Sequence, residues 1–87
     1  MKAPQKFNPD ATGVSSNTDD FTLSGSEDVL MVTLNGLVLD DAEYNLASTT
    51  LTVTPDDGFN STSDVVLVFQ ASQTTTPTAA YLSLIHI

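Results

Sequence analysis

The chain has 87 residues, 40% hydrophobic and 7% aromatic, with no tryptophan and no cysteine. That is enough for one small domain, and it excludes disulfides and thiolate metal sites. Eleven carboxylates against two lysines give a formal net charge of −9, which weighs against nucleic acid or an anionic membrane as a partner, since both need clustered Lys or Arg.

Residues 1–18 are polar, punctuated by Pro4, Pro9 and Gly13, and show neither helical nor alternating periodicity. They read as a flexible N-terminal arm, with Phe7 and Val14 available to tie it down. Both lysines, Lys2 and Lys6, fall in this arm, so the domain is expected to carry no cation. No basic segment leads into an apolar run at the start, so no secretory signal is expected. No apolar stretch approaches transmembrane length, so no membrane insertion is expected.

The domain is expected over residues 19–70. Asp20-Phe21-Thr22-Leu23 predicts a short first strand, and the polar cluster at residues 24–28 predicts a turn. The strongest signal is the block from Val29 to Leu39, two apolar runs around Asn35-Gly36. Asn-Gly favours a type I′ hairpin, because both central residues of that turn need positive φ. Leu34 is then opposite Leu37 and Val32 opposite Leu39. Leu30, Val32, Leu34, Leu37 and Leu39 share one face, while Val29, Met31, Thr33 and Val38 share the other. Asn35 and Gly36 are assigned to turn geometry alone.

Tyr44-Asn45-Leu46 restarts alternation after Asp40-Asp41-Ala42-Glu43, and residues 47–49 offer a small-residue turn. Thr50-Leu51-Thr52-Val53-Thr54 is an alternating strand with Leu51 and Val53 inward. Pro55-Asp56-Asp57-Gly58 is a turn in which Gly58 accepts positive φ. Val65 to Phe69 is apolar on both faces, which calls for a central strand, a second layer or a partner subunit. No helix is expected. The prediction is an all-β fold, a small antiparallel β-sandwich or half-open barrel of five to six strands. Residues 71–81 read as a Ser/Thr/Pro linker. Residues 82–87 can be encoded by CTG TCT CTT ATA CAC ATC, which looks like the adapter of transposase-based sequencing libraries. They are expected to be read-through rather than protein, which removes His86, the sole histidine, from functional weight.

The order Phe21-Thr22-Leu23, Val32-Thr33-Leu34-Asn35-Gly36-Leu37-Val38-Leu39, Tyr44-Asn45-Leu46, Leu51-Thr52-Val53-Thr54-Pro55 and Asp64-Val65-Val66-Leu67-Val68 resembles the small β modules of bacteriophage tail fibres and related virion appendages. The resemblance spans about residues 20–69, with Glu43-Tyr44 in place of an Asp-Tyr pair and an expanded last turn. It implies a structural role in the virion, within an elongated and often trimeric assembly that attaches to the particle or contacts a host-surface saccharide. The expected partners are sister chains, with a trimer favoured, or neighbouring modules of a longer chain. The expected interface is Val65, Leu67, Phe69, Val29 and Met31. The competing expectation is a carbohydrate-binding or adhesion module at a bacterial cell surface.

Catalysis is not expected: outside residue 86 there is no histidine, and there is no cysteine. Asp40, Asp41, Glu43, Asp56 and Asp57 are the carboxylates that remain for acid–base work. Asp40-Asp41-x-Glu43 and Asp56-Asp57-Gly58-x-Asn60 are oxygen-rich enough for Ca²⁺, yet they lack the spacing of a calcium loop and read as turn chemistry. No cofactor is expected. Asp40, Asp41, Glu43, Asp56, Asp57, Phe59 and Asn60 are the candidate exposed contact loops, although Phe59 fits a lid over the core equally well. Tyr44 is read as a packing residue rather than a sugar platform. Asn60-Ser61-Thr62 matches a glycosylation acceptor that a phage product would leave unmodified.

Overall fold

A computed structural model describes residues 3–72. The described residues form seven strands: β1 Gln5–Phe7, β2 Asp19–Thr22, β3 Val29–Leu34, β4 Leu37–Val38, β5 Tyr44–Ala47, β6 Thr50–Val53 and β7 Val66–Gln70. One sheet runs β1-β7-β3-β4 and the other β2-β6-β5. Every pair is antiparallel. The expected all-β antiparallel class holds, as two sheets around one core, with no closed barrel among the described residues.

The core is built from alternate residues of both sheets. Val32, Leu34, Val66 and Val68 come from the four-stranded sheet, and Phe21, Leu51 and Val53 from the three-stranded one. Leu23, Leu39 and Phe59 close it from the connections. Val32, Leu51, Val53, Val66 and Val68 are fully buried, and each such side chain stabilises by about 1.5–3 kcal/mol.

The N-terminal arm is corrected. Gln5–Phe7 pairs with β7, setting Phe7 opposite Val66. Phe7 then stacks on Phe21 of the other sheet, with ring centroids 5.1 Å apart. Between them Ala11–Ser16 forms a short helix, α1. Apart from Ala11 its residues are weak helix formers, so the caps decide it. Asp10 accepts a hydrogen bond from the Gly13 N–H at 2.7 Å, and Asn17 ends it in the left-handed region at φ 58°. The described residues therefore hold seven strands, one α-helix and a single 3-10 turn at Asp41–Glu43, rather than five to six strands and no helix. Lys6 lies within it, on β1.

The Asn35-Gly36 turn is as expected. Both residues have positive φ, 52° and 85°, and Leu34 pairs with Leu37. The Leu39 N–H donates to the Val32 carbonyl at 2.8 Å, and Leu39 is buried. The face assignment fails at two residues. Val29 pairs with Gln70 and Met31 with Phe69, so Leu30 is an extra residue, a β-bulge. The bulge reverses alternation: Val29 packs against the core and Leu30 is 55% exposed. Leu37 is 66% exposed, because β4 is an edge strand paired only with β3.

Gln70 closes the domain, as the expected boundary has it. It is fully buried at the end of β7. Its Nε2 donates to the Gly25 and Glu27 carbonyls at 3.0 and 2.8 Å, and its Oε1 accepts from Gln5 Nε2 at 2.6 Å. Gln5 Oε1 in turn accepts from the Ser24 N–H at 2.8 Å. A buried amide with its donors and acceptors matched in this way ties β1, β7 and the β2–β3 connection together. Apart from Ala71 and Ser72, the expected linker and the expected read-through at residues 82–87 lie outside the described residues.

Ser48, in the turn between β5 and β6, is an exposed residue at φ 59°. An L side chain there costs about 1 kcal/mol relative to glycine. Ser48→Gly is expected to raise stability by about 0.5–1 kcal/mol, read as a higher urea midpoint at unchanged slope.

Candidate assembly surface

The two sheets differ on the sides facing away from the core. On the three-stranded sheet, pairing aligns Asp20, Thr52 and Asn45 in one row and Thr22, Thr50 and Ala47 in the next. This face is polar, and the Thr52 hydroxyl donates to Asp20 Oδ1 at 2.6 Å. On the four-stranded sheet, one row is Lys6, Leu67, Thr33 and Val38, and the next is Phe69 and Met31. No carboxylate stands in either row. Val38 is 61% exposed, and Met31, Leu67 and Phe69 are half-buried. Thr33 is buried among them, and its hydroxyl has no hydrogen-bond partner among the described residues.

Of the predicted interface residues, Met31, Leu67 and Phe69 share this outer face. Val65 is half-buried just before β7. Val29 is not on this face; the bulge turns it inward. Lys6 and Val38 join the surface. Lys6 was hidden in the sequence because a strand as short as β1 shows no alternation.

The expected contact loops divide. Asp40, Asp41, Asp56, Asp57 and Asn60 are exposed. Phe59 is 6% exposed and belongs to the core, so it is a lid and not a contact. Glu43 is structural: Oε1 accepts from the Asp40 N–H and Oε2 from the Asp56 N–H, each at 3.1 Å. The Thr54 N–H donates to its carbonyl at 2.7 Å. Glu43 thus holds the two acidic loops together at one end of the domain. Among the described residues no group of three or more His, Cys, Asp or Glu is arranged to hold a metal ion. Tyr44 is half-buried against the core. Gly58 has φ 73°, and a Cβ there would run into the Asn17 side chain, whose Oδ1 accepts from the Phe59 N–H at 3.3 Å.

The long connection before β7 is anchored by Asp64, a buried carboxylate that sequence reasoning passed over. Its Oδ2 accepts from the Asn60 and Ser61 N–H groups at 2.7 and 3.3 Å, and its Oδ1 from Asn35 Nδ2 at 3.1 Å. Burial pushes its pKa up, but the bonds from Asn60, Asn35 and Ser61 outweigh this and hold it below the ordinary carboxylate value. Asn35 is also more than a turn former, because its Oδ1 accepts from the Val65 N–H at 2.8 Å. Loop and hairpin thereby fix Val65 and the start of β7 that follows it.

An open cleft of about 660 Å³ lies between β3 and β5, lined by Ser26, Asp28, Val29, Leu30, Leu46 and Ser48. Its lining has no aromatic ring and one carboxylate. No helix among the described residues is long and apolar enough to cross a membrane. Compared with protein families, curated proteins and solved structures, the chain matches none of them.

Proposed function

We propose that this chain is a structural module of a phage tail fibre or similar virion appendage, working by assembly with sister chains, a trimer being favoured. The observation that carries the assembly reading is the contrast between the two outer faces. Thr22, Thr50, Thr52 and Asp20 suit water, whereas Met31, Leu67, Phe69 and Val38 make the other face largely apolar around Thr33, with Lys6 beside Leu67. Contiguous apolar patches mark interaction sites more often than scattered apolar residues do. The patch is also free of the carboxylates that dominate the rest of the chain, so like-charged copies meet there with the least repulsion. The virion placement rests on the sequence resemblance. The β3–β5 cleft offers a saccharide no stacking ring, which sets the adhesion-module reading behind assembly.

Leu67→Asp tests the interface. Its carboxylate would stand opposite Lys6, a favourable cross-strand pair, so the isolated fold tolerates it. In an apolar interface it is costly. The apparent Kd for self-association is expected to rise on the order of 30-fold, the effect of losing about 2 kcal/mol at an interface centre. Thr22→Asp on the polar face is expected to leave association unchanged. Light scattering across a dilution series distinguishes the two. Equal behaviour of both variants would refute the assignment of this face.

A further inference from the structure

We infer that Asn35 is a deamidation site gated by folding: the native hairpin holds its amide away from reaction, and an opened chain loses that amide irreversibly. Asn35-Gly36 is the sole Asn-Gly pair in the sequence. Glycine has no Cβ, so its backbone nitrogen attacks the preceding side-chain amide with little hindrance. The Gly36 nitrogen bonds to Asn35 Cγ, the Cγ–Nδ2 bond breaks, and the Gly36 N–H proton leaves with that nitrogen as ammonia. Water then opens the cyclic imide at either carbonyl, giving aspartate or its β-linked isomer. One water is consumed, one ammonia is released, and nothing is oxidised or reduced.

The fold opposes the first step. Attack requires the Asn35 side chain to swing toward the Gly36 nitrogen. Instead Nδ2 is held on Asp64 Oδ1 at 3.1 Å and Oδ1 accepts from the Val65 N–H at 2.8 Å. The backbone is fixed by positive φ at both turn residues and by the Leu34–Leu37 pair beside them. Asn35 is otherwise exposed, so the protection comes from these bonds and not from exclusion of water.

The fold also rejects the product. An aspartate at residue 35 would set an oxygen where Nδ2 now donates to Asp64, bringing two carboxylates within hydrogen-bond distance. The β-linked isomer would add a backbone carbon to the tight turn that sets the register of β3 and β4. A chain that reacts while open therefore refolds to a weaker domain, and the history of opening is written into the hairpin.

The intact protein is incubated at neutral pH in buffer and in strong urea, and conversion at residue 35 is followed by peptide mass spectrometry. Conversion in buffer is expected to be slower by on the order of a thousandfold or more, because it tracks the small open population. Asn35→Asp is expected to lower the urea midpoint, and Asn35→Asp with Asp64→Asn to recover part of the loss by reversing the pair. Equal conversion rates in buffer and urea, or an unchanged midpoint for Asn35→Asp, would overturn the inference.

Discussion

Asp64→Ala is expected to destabilise the domain by about 2–4 kcal/mol, since two backbone N–H groups and an amide lose a buried acceptor. The loss reads as a lower urea midpoint at unchanged slope. Asp64→Asn is expected to cost less, because it keeps one acceptor oxygen while facing a donor with its own amide. The two proteins also differ in acid. The folded pKa of Asp64 lies below its unfolded value. Its contribution is therefore complete above about pH 3.9, the unfolded value, and is lost as pH falls through the folded one. The stability gap between wild type and Asp64→Asn should narrow as pH drops below about 4. A gap that widens in acid would contradict the hydrogen-bond assignment.

Deletion of residues 1–18 is expected to abolish cooperative folding. The deletion removes β1 and α1, leaves β7 as an edge strand, and strips Phe7 from Phe21. Lost burial of the half-buried Phe7 costs about 1–2 kcal/mol and the lost ring pair about 0.5–1.5. Gln70 loses Gln5 from its buried amide, worth about 1–3 kcal/mol more. Domains of this size hold about 4–10 kcal/mol in total. A sharp urea transition in the deleted chain, with native circular dichroism, would show that the segment is dispensable.

The hairpin and β6 were legible because their signals are local: Asn-Gly demands positive φ, and Leu51 and Val53 alternate with threonines. The face of Val65–Phe69 was legible only in part. Two-sided apolarity showed that both faces needed cover, and the structure covers one of them with the core. What escaped depends on distant partners. Gln5–Phe7 is a strand only because β7 offers an edge to it. The bulge at Leu30 follows from how β3 meets β7, and no residue type announces it. Asp64 reads as a boundary charge before an apolar run, and only the returning loop and Asn35 make it a buried anchor. Phe59 is in the core because Gly58 turns the chain inward beside Asn17.

The outer face of the four-stranded sheet gives the assembly reading a specific geometry: Lys6, Leu67, Thr33 and Val38 in one row, Phe69 and Met31 in the next. Asp40, Asp41, Asp56 and Asp57, in the loops held by Glu43, are exposed, and their charge helps keep assembled copies soluble.

Sedimentation equilibrium of the intact chain from low to high micromolar concentration tests this most directly. The chain mass is 9.2 kDa. The assembly account predicts a discrete multiple of it, a trimer in the favoured arrangement, that dissociates on dilution. A single species at 9.2 kDa across the whole range would contradict self-assembly through the apolar face.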